Sequence, residues 1–284
     1  MLFLVTVVVA WGLTWPVNKV ILSSLAPLWA VAIRTALAAL VLVVVASLRG
    51  RLAPPPRGDL PVLLSITLLH IVGFSVLSTW GLMRVPAGRS VVLAYTTPLW
   101  VIPGAWLFLG ERLTSRRAMG VVIGLAGLLT LFNPLALDWS DSGIVLGHLA
   151  IVAAAMLWAL SILHIRGHRW ISTPFDLLPW ETMLATVILV PLGLLGAGTL
   201  HAEWTPSLVL LVLYAGIPGS ALAYWAVAMA SRNLPAVTTS LGLLATPVVS
   251  VIAATIFLGE PLTPSLIVAI VLILGGVALG TAEA

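Results

Sequence analysis

The sequence predicts an all-α integral membrane protein, with ten transmembrane helices arranged as two inverted five-helix repeats around a central cavity. Hydrophobic residues make up 61% of the 284 residues and charged residues only 8%, whereas soluble domains carry roughly 25% charged residues. The apolar residues fall into stretches long enough to cross the ~30 Å of a bilayer core. The second half of the chain also repeats the pattern of the first half. These three observations together predict the fold class.

The internal repeat is carried by proline, glycine and glutamate, which are more informative than apolar matches in so apolar a chain. The matched pairs are Thr97-Pro98 with Thr246-Pro247, Phe108-Leu-Gly-Glu111 with Phe257-Leu-Gly-Glu260, and Trp11 with Trp158. We therefore predict two copies of one unit, over residues 1–135 and 143–284.

The helix boundaries follow from the clusters of charge, proline and glycine that interrupt the apolar stretches. In chain order, the predicted helices lie near residues 2–22, 27–49, 60–83, 86–109, 115–133, 143–165, 174–196, 206–230, 234–258 and 263–281. The first stretch contains Asn18 and Lys19 and has no basic segment before it. We therefore interpret it as a retained helix and not as a cleaved signal peptide.

The positions of lysine and arginine predict that both termini are cytoplasmic, because short cytoplasmic loops carry an excess of these residues. With the N-terminus inside, the inner loops hold Arg49, Arg51, Arg57, Arg112, Arg116, Arg117, Arg166, Arg169 and Arg232. Arg84 and Arg89 lie in an outer connection and count against this orientation. The inner positive charges outweigh these two.

The odd number of helices in each copy forces the second copy to enter the membrane upside down. The segment that ends at Glu111 should then finish inside, and the segment that ends at Glu260 outside. Inverted repeats of this kind are a signature of secondary transporters, whose binding site lies near the midplane between the two halves. The sequence therefore favours a carrier with alternating access.

Pro98 and Pro247 fall midway along the fourth and ninth predicted helices. A proline there removes a backbone hydrogen bond and bends the helix. Thr97 and Thr246 are placed to bond the carbonyl groups that the prolines free. Taken singly, each proline is better explained as a structural kink. Because both occur at matched depth, a role in shaping a pathway is equally favoured.

A small set of polar and aromatic side chains lies deeper in the predicted helices than an interfacial belt requires. The candidate substrate-binding residues are Trp11, His70, Thr79, Trp80, Tyr95, Trp158, Tyr224 and Trp225. A buried Trp or Tyr needs a partner for its N–H or O–H, so core packing is an equal alternative for each residue alone. As a group they predict an aromatic-lined cavity. His70 is central and ionisable, which favours function over packing.

Asn18, Lys19 and Arg34 cluster towards the predicted outer face and are candidate gate residues. Arg34 and Glu181 align in the repeat, yet each lies ~10 Å deep from opposite membrane faces at 1.5 Å of rise per residue. We expect that they do not touch and that each pairs locally or extends towards its own interface.

Several classes of function are disfavoured by the sequence. The chain has no cysteine and no H-E-x-x-H, G-x-S-x-G or P-loop motif, so we expect no catalytic residues, no metal site and no cofactor. A net charge of +4 would suggest a nucleic-acid partner for a soluble protein. Here the basic residues sit between apolar stretches and act as topology signals, so no nucleic-acid partner is expected.

These features resemble the drug/metabolite transporter superfamily, with two EamA-type repeats that cover nearly the whole chain. The resemblance is carried by Trp11-Gly12 near the start, Thr-Pro in the fourth and ninth helices, and Leu-Gly-Glu closing both. Within the superfamily, the chain is similar to YddG-type bacterial exporters of aromatic and other neutral amino acids. The resemblance implies that the third, fourth, eighth and ninth helices surround the cavity, that no ATP is hydrolysed, and that the protein lies in the bacterial inner membrane.

The resemblance and the deep aromatic residues predict export of small neutral organic solutes, above all aromatic or other large apolar amino acids. Export of another drug or metabolite is one alternative. A membrane-embedded enzyme or a structural subunit is an alternative of a different class. The expected partners are a small-molecule substrate and the lipid bilayer.

Overall fold

A computed structural model describes residues 1–132, 141–233 and 242–281. This part of the chain is helical and contains no β-strand. We group its helices into ten consecutive rods. Seven helical stretches in it are long and apolar enough to cross a membrane, and shorter apolar helices follow near the C-terminus.

The first five rods are α1 (Leu2–Ile21), α2 (Pro27–Leu48), α3 (Leu60–Ser65, Ile66–Phe74 and Ser75–Leu82), α4 (Ala87–Ala94 and Thr97–Leu109) and α5 (Ser115–Phe132). The second five are α6 (Ser142–Gly167), α7 (Pro174–Ala197), α8 (Pro206–Gly216, Ile217–Leu222 and Ala223–Asn233), α9 (Ala245–Leu258) and α10 (Pro264–Thr281). The start of the predicted helix 234–258 lies outside the described residues. The predicted C-terminal ends of the two units, residues 135 and 284, also lie outside them.

Two rods contain a stretch of π-helix, which has a wider turn than an α-helix. In α3 it spans Ile66–Phe74, and in α8 it spans Ile217–Leu222. These two rods occupy matching places in the two halves of the chain, so the irregularity is repeated as well as the sequence.

The rod α4 is broken at its centre, where the sequence predicted a bend within one continuous helix. The first piece ends at Ala94, and Pro98 lies in the first turn of the second piece. Proline is accepted there because the first turn of a helix has no intrahelical acceptor for its backbone N–H. Pro247 likewise lies in the first turn of α9, whose helix starts at Ala245. Both prolines therefore start helices.

The two halves contact each other through matching pairs of rods. The rods α5 and α10 pack together, and so do α2 and α7. The contact of α1 with α9 is matched by the contact of α6 with the second piece of α4. Each of these pairs joins one rod of the first half to one rod of the second half, so neither half forms a separate body.

Small residues allow α5 and α10 to approach each other closely. A methyl group built on Gly120 would lie 2.6 Å from the carbonyl oxygen of Gly276, and one built on Gly276 would lie 2.5 Å from that of Gly120. Real side chains do not tolerate such distances, so glycine is required at both positions. The small-residue spacing in the sequence thus marks helix packing.

The two Leu-Gly-Glu segments end at opposite ends of the rod α4. Gly110 and Gly259 both have a φ of 67° and close their helices in the left-handed conformation that glycine accepts. Glu111 follows the C-terminus of α4, whereas the carboxylate of Glu260 accepts hydrogen bonds at the N-terminus of α4, from the backbone N–H of Ala87. We call these two ends of the bundle the Glu111 end and the Glu260 end.

We expect Gly120→Ala to destabilise the protein, because the added methyl group has no room against α10. Overpacking of this kind costs about 1–3 kcal/mol. The matched control is Gly275→Ala, since a methyl group at Gly275 meets no atom within 4 Å. Thermal unfolding in detergent should show a lower midpoint for the first variant and an equal or higher one for the second, because alanine favours helix. Equal midpoints for both variants would contradict the close contact.

We expect the two Leu-Gly-Glu segments to face opposite sides of the membrane. The native chain has no cysteine, so single cysteines at the matched positions Leu113 and Leu262, both exposed, provide clean labels. A membrane-impermeant maleimide should label Leu113→Cys only from the cytoplasmic side and Leu262→Cys only from outside. Labelling of both cysteines from the same side would contradict the inverted topology.

Candidate functional site

A cavity opens between the rods α1, α2, α3, α4, α6 and α8, and its empty volume, counted out to its open mouth, is about 680 Å³. Its lining combines aromatic rings with hydroxyl groups and one guanidinium. The lining residues are Trp11, Thr14, Trp15, Asn18, Arg34, His70, Phe74, Ser75, Ser78, Thr79, Leu82, Tyr95, Trp158, Gly219, Ser220 and Tyr224.

Most of the residues predicted from the sequence meet in this cavity. The substrate-binding candidates that line it are Trp11, His70, Thr79, Tyr95, Trp158 and Tyr224, and the gate candidates that line it are Asn18 and Arg34. Those that do not line it are Trp80, Trp225, Lys19, Pro98 and Pro247. The chain thus brings residues from both halves to one site.

Trp158 of α6 is the centre of an aromatic cluster. The ring of His70 stacks parallel to it with centroids 5.1 Å apart. Phe74 lies at 5.2 Å in a tilted arrangement, and Tyr95 meets the indole edge-on at 6.1 Å. Offset stacking and edge contacts are the favourable geometries for aromatic pairs. The cluster therefore forms an aromatic wall.

Trp11 and Tyr224 form a second group of rings. They contact each other edge-on with centroids 6.4 Å apart. Tyr224 lies at the same centroid distance from His70, which joins this pair to the cluster around Trp158. Because Trp11 and Trp158 are matched residues of the two halves, each half contributes one tryptophan to the lining.

The π-helical stretches supply lining residues from both halves. His70 and Phe74 come from the stretch in α3, and Gly219 and Ser220 come from the stretch in α8. Stretches of π-helix occur frequently at functional sites. A side chain at Gly219 is excluded, since a methyl group there would lie 2.7 Å from the hydroxyl oxygen of Thr14.

The break in α4 places Tyr95 in the cavity wall. Tyr95 follows the last residue of the first piece, and its side chain is 8% exposed. Pro98 has no N–H to donate to the carbonyl of Ala94, but the hydroxyl of Thr97 donates to that carbonyl at 2.8 Å. The role predicted for Thr97 is confirmed, and the break leaves that carbonyl satisfied inside the protein. The same role predicted for Thr246 is wrong, because in the described chain its buried hydroxyl makes no hydrogen bond to a carbonyl.

Trp80 and Trp225 lie next to lining residues in sequence but point to other contacts. The guanidinium of Arg84 lies 3.7 Å from the centroid of the Trp80 ring, and Trp225 packs edge-on against Phe3 at 5.1 Å. Successive helical residues are rotated by about 100°, so a residue adjacent to a lining residue faces elsewhere. Both tryptophans act in packing.

Four of the serine and threonine hydroxyl groups in the lining were not predicted from the sequence, whereas that of Thr79 was. The four belong to Thr14, Ser75, Ser78 and Ser220. The spacing of Ser75, Ser78 and Thr79 is a signal that was available, because residues three and four apart share one face of a helix. Phe74 was also missed as a lining residue.

Arg34 of α2 brings a positive charge to the cavity. Its Nη2 donates a hydrogen bond to the hydroxyl of Ser75 at 3.0 Å. A side pocket of about 210 Å³ continues from this point, and Arg34, Ser75, Ser220 and Tyr224 line it as well as the cavity. Over the described residues, the structure records no ion pair between Arg34 and Glu181, in agreement with the prediction.

Lys19 and Glu260 hold the rods together at the Glu260 end. The ammonium of Lys19 donates to the carbonyl oxygens of Leu82 and Val85, where α3 ends. The carboxylate of Glu260 accepts from the backbone N–H groups of Ala87 at 2.6 Å and Gly88 at 2.8 Å. A cation at a helix C-terminus and an anion at a helix N-terminus are both favourable to the helix dipole.

The Glu111 end is held by different chemistry. Glu111 forms ion pairs with Arg117 at 3.2 Å and with Arg166. The fully buried carboxylate of Asp59 accepts from His168 and from the backbone N–H of Ser172, which ties the start of α3 to the connection between α6 and α7. Among the described residues no group of three His, Asp or Glu side chains could hold a metal ion.

Comparison with known proteins gives a consistent result over nearly the whole chain. The EamA-like transporter family matches residues 1–133 and 145–281. The chain is 30% identical to the uncharacterized inner membrane transporter YedA of Escherichia coli (strain K12), over 90% of this chain and 81% of YedA. It is 27% identical to a probable terminal-alkyne amino-acid exporter of Streptantibioticus cattleyicolor, over 97% of this chain and 91% of that protein.

A solved crystal structure has a similar fold, with a TM-score of 0.71 and 22% sequence identity. The match covers 99% of this chain and 95% of that one.

We expect Glu260→Ala to loosen the first turn of α4, because the N–H groups of Ala87 and Gly88 lose their acceptor. Loss of a helix N-cap costs about 0.5–2 kcal/mol. Amide hydrogen exchange at residues 87–90 should therefore accelerate by roughly tenfold. The matched control is Glu203→Ala, which removes an exposed carboxylate from the connection before α8. Equal protection of these amides in both variants and the native protein would contradict the cap.

Proposed function

This chain belongs to the EamA-like transporter family, and from that premise we propose that it is a secondary transporter that exports small, mostly neutral organic solutes. The preferred solutes in this proposal are aromatic or other large apolar amino acids. The observation that carries the proposal is the aromatic wall around Trp158 beside a row of hydroxyl groups. Aromatic faces stack on apolar and aromatic groups, and the hydroxyl groups satisfy a small polar part.

The comparisons support this class without fixing the solute. The relative in Streptantibioticus cattleyicolor is named as a probable terminal-alkyne amino-acid exporter, and YedA is named only as an uncharacterized inner membrane transporter. Similarity of about 30% indicates a shared fold and a shared kind of activity. The choice of an aromatic or large apolar side chain therefore rests on the lining of this cavity.

The proposed mechanism is alternating access by two inverted five-helix repeats that form ten transmembrane helices. Two contacts support it: Glu260 binds the start of α4 while Glu111 follows its end, and the contact of α1 with α9 has its counterpart in that of α6 with α4. We place the Glu111 end in the cytoplasm, together with both termini, in the bacterial inner membrane. Rocking of the halves would then expose the cavity to each side in turn.

The gate and pathway roles are assigned within this mechanism. Asn18 and Arg34 line the cavity, and Lys19 closes the Glu260 end next to them. Pro98 lies in the first turn of the second piece of α4, and Pro247 lies in the first turn of α9. We propose that these helix starts are the places where the pathway changes shape.

The proposed transport is downhill, or coupled only weakly to protons. Among the residues lining the cavity no carboxylate is present in the described chain, and His70 is held in the aromatic wall. Intramembrane carboxylates and histidines are the usual proton carriers. In this proposal His70 serves as part of the wall.

We expect purified protein in proteoliposomes to catalyse saturable counterflow of labelled tryptophan or phenylalanine. Trp158→Ala should lower that flux several-fold, because aromatic pairs contribute about 0.5–1.5 kcal/mol beyond their buried area. The control is Trp106→Ala, since Trp106 is exposed outside the cavity. An imposed pH gradient should leave exchange unchanged. Absence of protein-dependent flux for every aromatic or large apolar amino acid would reject this substrate class.

A further inference from the structure

The cavity carries a net positive charge. Arg34 is the cation of its lining, and among the described residues no aspartate or glutamate lines the cavity. An arginine stays protonated in proteins. A guanidinium next to an apolar wall without an anion is unfavourable, because desolvation of a charge is costly unless an opposite charge or enough hydrogen bonds compensate.

The guanidinium of Arg34 is oriented but not neutralised by the protein. Within the described part of the chain it makes one hydrogen bond, from Nη2 to the hydroxyl of Ser75. Arginine has five N–H donors in a planar fork, so most of its donors remain for another acceptor. The hydroxyl of Thr79 lines the same cavity and adds a donor that suits an anionic oxygen. The hydroxyls of Ser78 and Ser220 already donate to the backbone carbonyls of Ser75 and Ala215.

The nearest acidic candidate, Glu181, does not supply the missing charge. It lies on α7, is 2% exposed and is absent from the lining of both pockets. Thr182, the next residue in sequence, does line the side pocket, so Glu181 is close by but directed elsewhere.

We propose that Arg34 is the anchor for a carboxylate on the transported solute, and that the carboxylate, not an amino group, is the group the cavity recognises. Arginine and carboxylate match as a bidentate pair of charge-assisted hydrogen bonds. Ser75 fixes the orientation of the guanidinium, and the aromatic wall around Trp158 receives the apolar part of the solute. This inference rests on the proposed export of aromatic or large apolar solutes and narrows it to carboxylates.

The same electrostatics exclude amines that lack a carboxylate. An ammonium group finds no carboxylate in the described lining and is repelled by Arg34, because two like charges in a cavity of low dielectric constant interact strongly. Aromatic acids without an amino group should therefore be accepted, and aromatic amines should be rejected.

The test uses the native protein in proteoliposomes and four indole compounds. Counterflow of labelled tryptophan is competed by unlabelled tryptophan, indole-3-propionate, tryptophan amide and tryptamine. We expect tryptophan and indole-3-propionate to compete, and the amide and the amine to compete roughly tenfold or more weakly, since a hydrogen-bonded charge pair is worth about that ratio. Equal competition by tryptophan and its amide would overturn the inference.

Three variants test whether Arg34 itself binds the carboxylate or whether any change of charge has the same effect. Arg34→Gln should reduce the preference for tryptophan over its amide to about one. The control Arg84→Gln removes the same charge from a residue that stacks on Trp80 outside the cavity, and should keep the preference. Glu181→Gln should also keep it. A marked rise of the preference in Glu181→Gln would show that Glu181 neutralises Arg34 in the native protein, and would overturn the inference that the guanidinium is free for the solute.

The outcomes also distinguish this inference from the function on which it rests. If no aromatic solute is transported, the proposed function fails. If aromatic solutes are transported with equal preference for acid, amide and amine, the proposed function stands and the role of Arg34 fails. Because the comparison of ligands needs only the native protein, a poorly folded Arg34→Gln variant leaves the test intact.

Discussion

The structure depends on one constraint, that every backbone N–H and C=O inside hydrocarbon must find a partner within the protein or in a cavity. Regular helices meet this constraint along most of the chain. The departures from regular helix in α3, α4 and α8 occur where these rods line the cavity. Thr97 shows how one departure is satisfied, since its hydroxyl replaces the hydrogen bond that Pro98 cannot make. The irregular backbone segments are therefore found at the cavity, where their polar groups can be satisfied.

The chemistry of the cavity follows from which residues those irregular segments present. The π-helical stretch of α3 brings His70 and Phe74 to Trp158, and the break in α4 brings Tyr95 to the same ring. Arg34 comes instead from the regular helix α2, opposite the serines of α3. An apolar aromatic side and a polar cationic side result, which suits an amphipathic solute with one defined orientation.

The sequence predicted the helices and many of the cavity residues, but not the direction in which each side chain points. Tyr95 and Trp158 were identifiable because deep aromatic residues are rare and both halves repeat. The prediction that Trp80 lines the cavity was wrong, because Trp80 is one residue after Thr79 and therefore points in another direction. The direction of each side chain also depends on the π-helical stretch of α3, which widens the helical turn and was not predicted. The contact of Asp59 with His168 was beyond prediction, since only folding brings residues so distant in sequence together.

The unequal chemistry at the two ends of α4 has a consequence for how each end responds to salt. Glu260 is held by backbone N–H groups at a helix start, whereas Glu111 is held by arginines that are about 40% exposed. Mobile ions weaken exposed ion pairs far more than such caps. The two ends therefore respond differently to ionic strength: salt should loosen the ion pairs of Glu111 while it leaves the hydrogen bonds of Glu260 in place.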